Sequence, residues 1–344
     1  MSSIFYSIIV PSFNRKDEIN DLINSILQLN FPGERFELII ADDGSTDGTD
    51  VLVKQFQNKK EIPLKYLSQQ NQGPGAARNM GMENAMGDFY IFIDSDCTVD
   101  KNWLSEIDLE LQKSKAAAFG GPDNCRQDFP PLLKAINYSM TSFITTGGIR
   151  GHKNKKLGKF YPRSFNMGLS SELYRKIGGF GSLRHGQDIE FSNRIIKSGA
   201  KVVHIEKAIV FHKRRTSITK FFKQVYNWGV ARINLYKIDK AMLEPVHFFP
   251  AVGLWMTILM AVLTFVHPVF YTIFKLFLFS GLFVLLISAI HSGFIYKNIK
   301  TAFLTPLIMP IQIYGYGTGF TIALIRRIIL RQEEFTGFTK KYYG

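Results

Sequence analysis

The stretch Tyr90-Ile91-Phe92-Ile93-Asp94-Ser95-Asp96-Cys97, "YIFIDSDC", decides how the first third of this chain is read. Four apolar residues run straight into two carboxylates one residue apart. An apolar run of this length, bounded by Gly87 and the acids, reads as a buried strand over 89–93. Side chains alternate along a strand, so Asp94 and Asp96 would share a face if the strand continued. Two like charges at that spacing repel unless a positive group sits between them.

The same pattern recurs upstream. Residues 4–10 (IFYSIIV) read as a strand that Pro11 ends, 36–41 (FELIIA) as a second and 64–67 as a short third. Helical spacing separates them: Ile19, Leu22, Ile23, Ile26 and Leu27 mark a helix over 17–29, Val51–Phe56 belongs to a second, and a third runs through Ala85. Strand–helix alternation of this kind predicts a mostly parallel sheet with helices on both faces. In open sheets of this type, ligands bind beyond the carboxyl ends of the strands.

Four strand ends therefore converge on one edge. They carry Pro11-Ser12-Phe13-Asn14-Arg15, then Asp42 and Asp43, then Gly73-Pro74-Gly75-Ala76-Ala77-Arg78-Asn79, then Asp94 and Asp96. Carboxylates are pure acceptors and suit a nucleobase N–H and ribose hydroxyls, which assigns Asp42 and Asp43 to a nucleotide. Arg78 opens a helix and can hold a base edge or a phosphate. Asp94 and Asp96 suit a divalent cation that itself binds a diphosphate, since Mg²⁺ takes one or two carboxylates plus substrate phosphates. Seen alone, "DDGSTDGT" is equally an ordinary polar turn and helix cap. "GPGAAR" lacks the Gly-Lys-Ser/Thr of a Walker loop and is not the dinucleotide fingerprint, which counts against a nicotinamide enzyme.

The 344 residues carry a net charge of +14. Residues 1–120 hold 11 Lys and Arg against 18 Asp and Glu, residues 121–245 hold 23 against 8, and the remainder 8 against 2. An acidic third followed by a basic middle fits a cation-binding half and a half that faces anions. The basic middle has no regular interleaving of aromatics and no nucleic-acid module pattern, so nucleic acid is not an expected partner. Two cysteines, Cys97 and Cys125, make no disulfide framework and no metal-knuckle spacing. Residues 1–10 lack the pattern of a signal peptide, so the N-terminal region is expected in the cytosol with both thiols reduced.

Composition shifts at Pro245. From Val246 to Ile325 there is no acidic residue and only Lys275, Lys297 and Lys300. Residues 248–266 and 269–290 each meet the length of a membrane span, and His267-Pro268 turns between them. The third apolar segment, 301–325, is interrupted by Pro306, Pro310, Gly315, Gly317 and Gly319. It reads as a broken span, a re-entrant pair of short helices, a slab at the interface or a full third crossing; Lys297 and Lys300 before it and Arg326, Arg327, Arg331, Lys340 and Lys341 after it favour a segment that does not fully cross. Residues 331–344 form a basic cytosolic tail. Between 217 and 245, Ile218, Phe221, Phe222, Val225, Gly229, Ile233 and Tyr236 share a helical face flanked by Lys220, Lys223, Arg232, Lys237 and Lys240, the pattern of a helix lying on a membrane surface.

Six blocks in order, "SIIVPSFNR", "IIADDGSTDGT", "NQGPGAARNMG", "FIDSDC", "NMGLSSELYRKIGGFG" and "GQDIEFSNRIIKSG", resemble a family two glycosyltransferase of the membrane-anchored bacterial or archaeal type, with the GT-A fold. The resemblance covers about residues 4–215. It implies a Rossmann-like catalytic domain over 1–216, with a nucleotide and metal half (1–120) and an acceptor half (121–216); the apolar composition adds a C-terminal helical membrane region over 246–330. It implies inverting transfer of a sugar from a nucleoside diphosphate sugar. Pro11, Asn14, Asp42, Asp43, Arg78 and Asp94 would contact the donor, and Asp94 and Asp96 would be the DxD motif that holds Mg²⁺ or Mn²⁺. Asp188 matches the catalytic base, although Gln187 replaces the acidic first residue of that motif, and Glu190 is a second candidate. His212 stands where some members place a late metal or diphosphate ligand; a structural His is the equal alternative. "QVYNW" (224–228) matches the family's QxxRW motif only in part, with Asn227 in place of Arg. Sugar choice would rest on the surroundings of Asn166–Gly168 and Gly178–Gly179.

The basic residues Arg126, Lys134, Arg150, Lys153, Lys155, Lys156, Lys159 and Arg163 would overlie the acceptor side, and Lys213, Arg214 and Arg215 would face diphosphate or an anionic membrane surface. Membrane segments would keep the site near lipid. A lipid phosphate is already ionised and needs no base, so an Asp at position 188 points to a hydroxyl acceptor on a lipid-linked or membrane-proximal glycan. A polyprenyl-phosphate glycosyltransferase and a non-catalytic scaffold with the same fold are the alternatives. A sugar nucleotidyltransferase is disfavoured by the missing N-terminal Gly-rich, Lys-containing phosphate loop.

Overall fold

The computed structural model describes residues 3–126, 128–146, 160–213 and 217–338. They form two compact units, residues 3–124 with 161–213, and residues 125–126, 128–146 and 160 with 217–338. Along the chain come β1 (Tyr6–Ser12), α1 (Lys16–Ile26), β2 (Phe36–Asp42), α2 (Thr49–Lys59), β3 (Leu64–Ser68), α3 (Pro74–Glu83), β4 (Phe89–Phe92), β5 (Cys97–Val99), α4 (Trp103–Ser114), β6 (Ala118–Gly120) and β7 (Asp123–Asn124). The second unit's α5 (Pro131–Thr141) and α6 (Phe143–Thr146) intervene. The first unit resumes with β8 (Met167–Ser170), α7 (Ser171–Ile177), α8 (Gln187–Lys197), β9 (Val202–His204) and β10 (Val210–His212).

A seven-stranded sheet runs in the order β3-β2-β1-β4-β8-β6-β9, and β5-β10-β7 form a small second sheet. β3, β2, β1 and β4 are parallel, while β8 is antiparallel to β4 and β6. β1 and β2 are buried along their whole length, as strands covered on both faces must be. One face packs Ile8, Val10, Leu38 and Ile40 with Ile19, Leu22 and Trp103. The other packs Ile9, Ile39 and Phe92 with Met82, Phe180 and Phe191.

Two local expectations are corrected. Pro11 does not end β1, which continues through Ser12 paired with Asp42. Ile9 C=O accepts from Ile93 N–H, so Pro11, two residues on, turns the same edge toward β4. The β1–β4 register stops at Ile9–Phe92, and no partner there requires the missing N–H. Asp94 and Asp96 do not share a strand face either. β4 ends at Phe92, and Cys97 N–H closes a turn on Asp94 C=O at 3.1 Å.

The second unit contains α9 (Ile218–Ile238), α10 (Phe249–Leu263), α11 (Pro268–Tyr296) and α12 (Ile299–Leu324), the last ending in a π-turn over Ile325–Ile329. Three stretches are long and apolar enough to cross a membrane: Pro245–Leu263, Pro268–Tyr296 and Ile299–Ile329. The third segment is therefore one continuous helix, with Pro306 and Pro310 inside it, rather than a broken one. The helix over 217–238 is also not a surface helix. Its buried residues include Phe221, Tyr226, Gly229, Val230, Arg232 and Asn234, which lie all round it. The cause is close backbone approach to α12: a Cβ at Gly229 would fall 2.2 Å from Tyr316 O, and one at Gly319 2.1 Å from Tyr226 O. Small residues permit this approach where larger ones would hold the helices apart. Residues 128–146, grouped by sequence with the acceptor half, cluster with these helices, because Ala135, Ile136 and Met140 of α5 pack with Phe221, Val225 and Ile308.

Candidate active site

The loops after β1 and β2 are stitched together. Asn14, at φ 51°, donates its backbone N–H to Ser45 Oγ and accepts from Thr46 N–H, both at 2.8 Å. Asn and Asp tolerate that left-handed backbone better than other residues with a side chain. Asp47 accepts from Lys16 N–H and from the Thr49 backbone and hydroxyl, capping α2. Burial opposes its ionisation, but these hydrogen bonds outweigh it and hold the carboxyl below the usual carboxylate range.

Asp42 and Asp43 are 0% exposed. Asp42 accepts from Tyr66 Oη at 2.6 Å and from Ser45 N–H at 2.8 Å. Burial, and next the hydrogen bond to Asp42, push the Tyr66 phenol well up. Asp43 accepts from Gln69 Nε2, Gln72 N–H and Gly73 N–H at 2.7, 2.9 and 2.7 Å. It thereby pins the turn that opens α3 and sets where Arg78 begins. The structure gives these acids partners from their own chain, and sequence reasoning had no signal for Tyr66 or Gln69 in that role.

The positive groups beside Asp94 and Asp96 are side chains. Arg78, 5% exposed, places Nη2 2.5 Å from Asp94 Oδ1, with its guanidinium 5.3 Å from the Phe180 ring centroid. His212 Nε2 lies 3.2 Å from Asp96 Oδ1, and its Nδ1 3.6 Å from Asp123 Oδ2. β10 delivers His212 by pairing antiparallel with β5, opposite Cys97. Ligand atoms of Asp96, Cys97 and His212 lie within 4.8 Å of one another. A carboxylate with an imidazole fits Mn²⁺, whereas Mg²⁺ favours oxygen ligands throughout. Asp94, one oxygen of which is held by Arg78, fits a metal less well than Asp96.

Asp188 sits in the first turn of α8, after Gly186 at φ 85°. Arg163 Nη1 is 3.4 Å from Asp188 Oδ2. The next residue, Ser164, places Oγ 3.5 Å from Asp94 Oδ1. A continuous line of contacts thus joins Asp188, Arg163, Ser164, Asp94 and Arg78. Gln187 is buried; a Cβ at Gly75 would stand 2.8 Å from its amide, so α8 begins directly against the first turn of α3. Glu190 is turned to other work. It pairs with Arg194 at 2.6 Å, and Arg194 also donates to Ile177 O at the end of α7 and to Gly179 O just beyond it. Asn166 is 0% exposed, accepts from Trp103 Nε1 and donates to Pro122 O and Ala208 O, which makes it a core strut.

Of the basic residues expected over the acceptor side, Arg163 reaches Asp188, Arg126 pairs with Asp128 and Lys134 is buried on α5. Arg150, Lys153, Lys155, Lys156, Lys159, Arg214 and Arg215 lie outside the described residues. Asn227 accepts from Phe338 N–H at 3.1 Å, a packing role within the helical unit.

The sequence profile of glycosyl transferase family 2 matches residues 7–178, half of the chain. The glycosyltransferase AglE of Haloferax volcanii is 24% identical over 255 residues, 74% of this chain and 80% of AglE. The poly(ribitol-phosphate) β-N-acetylglucosaminyltransferase TarS of Staphylococcus aureus is 37% identical over 142 residues, 38% of this chain but only 25% of TarS. Among solved structures, the mannosyltransferase PcManGT of Pyrobaculum calidifontis, in complex with GDP-Man and Mn²⁺, matches with a TM-score of 0.63 at 14% identity, over 90% of this chain and 88% of that one. TarS 1–349 in complex with UDP-GlcNAc matches with a TM-score of 0.53 at 19% identity, over 98% and 95%. The chain belongs to glycosyl transferase family 2 and is a glycosyltransferase with the GT-A fold, joined to a helical region that carries three candidate membrane spans.

Proposed function

We propose that this enzyme transfers a sugar, with inversion, from a nucleoside diphosphate sugar to a hydroxyl of a lipid-linked or membrane-proximal glycan, at the cytosolic face of a membrane it crosses. The observation that carries this reading is the line of contacts from Asp188 through Arg163 and Ser164 to Asp94 and Arg78. It links a partly exposed carboxylate at a helix N-terminus to the strand edge where a nucleotide diphosphate would lie.

Asp188 is the base. It takes the proton of the acceptor hydroxyl as that oxygen bonds to the anomeric carbon, while the bond from that carbon to the diphosphate oxygen breaks and the diphosphate leaves with the electron pair. Arg163 holds the carboxylate in place until the acceptor arrives. Pro11, Asn14, Asp42 and Asp43 frame the nucleoside, and Arg78 fixes Asp94. A divalent cation, Mn²⁺ or Mg²⁺, held by Asp96 and His212 with Asp94 beside them, would supply positive charge to the departing diphosphate. TarS is named for a poly(ribitol-phosphate) acceptor, a polymer that presents hydroxyls, and this supports a hydroxyl here. The three apolar helices support an acceptor found at the membrane.

The test is transfer by detergent-purified protein from UDP-, GDP- and dTDP-sugars, with Mg²⁺ or Mn²⁺ and a membrane lipid extract. Metal-dependent transfer lost in Asp188→Asn and Asp96→Ala is the expected result. Normal transfer by Asp188→Asn would overturn the base assignment and favour an ionised lipid phosphate as acceptor. No nucleotide binding in the presence of metal would favour the scaffold alternative.

A further inference from the structure

The helical unit contains a second charged feature, within that unit alone. A cavity of about 460 Å³ is lined by Tyr236, Lys237, Ile238, Lys240, Ile328 and Arg331. Three of these side chains are cationic. Among the described residues none of the three makes an ion pair. The other three are apolar or amphipathic, and the adjoining Ile329 and Leu330 are exposed.

The backbone that builds the cavity is unusual at one end. α12 closes in a π-turn, with Leu330 N–H donating to Ile325 O at 2.8 Å. Arg331 follows at φ 53°, a left-handed conformation that a residue with a side chain rarely adopts. Arg327 Nη1 donates to Gln332 O, and Gln332 N–H to Arg326 O, fixing that reversal. Single π-turns and strained residues of this kind cluster at functional positions. Cations at a helix C-terminus ordinarily need no ligand to explain them, because they offset the helix dipole. That accounts for Lys237 in the last turn of α9, but not for Lys240, which opens the short 3-10 helix Lys240–Met242, nor for Arg331, which follows the π-turn.

We propose that this cavity binds the phosphate headgroup of an anionic bilayer lipid. It lies where the candidate span Ile299–Ile329 ends, the level at which headgroups would sit. The cations match the phosphate, and Ile238, Ile328 and the Tyr236 ring match the start of an acyl chain, which a free phosphate would leave unused. This rests on the membrane reading of the helical unit and is independent of the identity of the glycan acceptor.

The test uses the full chain in neutral detergent, with bound lipid followed by native mass spectrometry. Phosphatidylglycerol is the probe, phosphatidylcholine the neutral control and inorganic phosphate the competitor. The expected result is preferential retention of phosphatidylglycerol that millimolar phosphate does not displace. K237Q/K240Q/R331Q should weaken it at least about tenfold, with phosphatidylcholine and donor-nucleotide binding unchanged. K237R/K240R, which keeps both charges, should restore retention and so separates loss of charge from loss of fold. Equal retention by wild type and the triple variant would overturn the proposal, as would displacement by phosphate, which would mark a free-anion site. A chain that stays soluble without detergent and does not float with liposomes would instead overturn the membrane reading itself.

Discussion

Two groups of carboxylates in the first unit, at strand ends and at the start of α8, are held in opposite ways. Asp42 and Asp43, beyond β2, are wholly buried and filled by hydroxyl, amide and backbone donors from their own chain. Asp94, Asp96 and Asp188 keep side-chain exposures of 29, 19 and 25%, and each is met by a cationic or imidazole side chain instead. A neutral donor network fixes a loop for good. A cation opposite a partly exposed carboxylate can be exchanged for a substrate or a metal, because the pair is only partly withdrawn from water. The difference separates acids that build the site from acids available for its chemistry.

The largest effect that can break this distinction is on turnover. Asp188→Asn should lower kcat by about 10²–10⁴-fold, the usual contribution of a general base, while nucleotide binding and the thermal midpoint stay at wild-type values. A fall in the midpoint as large as that of a core variant would place Asp188 among the building acids. Next in size is the metal requirement. His212→Ala should raise the Mn²⁺ concentration for half-maximal donor binding at least about tenfold, by analogy with losses seen when a metal site is altered, with isothermal titration as the readout. Unchanged Mn²⁺ dependence would leave His212 as the structural partner of Asp96 and Asp123.

The building acids should show the converse. Asp43→Ala leaves Gln72 and Gly73 N–H groups without their acceptor, and a buried donor left unsatisfied costs about 1–3 kcal/mol. Thermal unfolding should therefore begin several degrees lower, whereas Asp96→Ala, at a partly exposed site, should shift it little. Equal shifts in the two variants would erase the contrast.

How far this was legible follows from where each determinant lies. The parallel sheet and its ligand edge could be read because an apolar run followed by Asp, Gly or Asn is local information. The division between the two groups of acids could not. It depends on Tyr66 and Gln69, which carry no signal in the sequence, and on Arg163 and His212, which the sequence offers as acceptor-side and metal-site residues without showing which carboxylate each meets. Glycine was misread for a related reason. Gly315, Gly317 and Gly319 look like interruptions of an apolar helix, yet in the structure they are contact points, with α12 continuous through them and α9 drawn against it. A residue that weakens a lone helix strengthens a packed pair, and sequence alone shows only the first effect.

The smallest expected effect concerns Asp108, which combines both ways of holding an acid. It is paired with Arg35 at 2.8 Å and also accepts from Tyr6 Oη at 2.7 Å and Gln112 at 2.8 Å. Burial opposes its ionisation, but the hydrogen bonds from Arg35, Tyr6 and Gln112 outweigh burial and hold the carboxyl below its usual range. A carboxyl depressed on folding contributes stability that is present above its unfolded pKa of about 3.9 and is lost as pH falls through the lower folded value. For Tyr6 the sign reverses. Burial, then the hydrogen bond to Asp108, push its phenol up, so the contribution is present below the unfolded value of about 10 and is lost as pH rises above it. Thermal midpoints measured across pH should therefore fall at both extremes, and Asp108→Asn should flatten the acid limb below about pH 4. An acid limb as steep in Asp108→Asn as in wild type would mean that the other carboxylates carry the acid sensitivity, and that ion pairing adds nothing at Asp108 beyond what the neutral donors already provide.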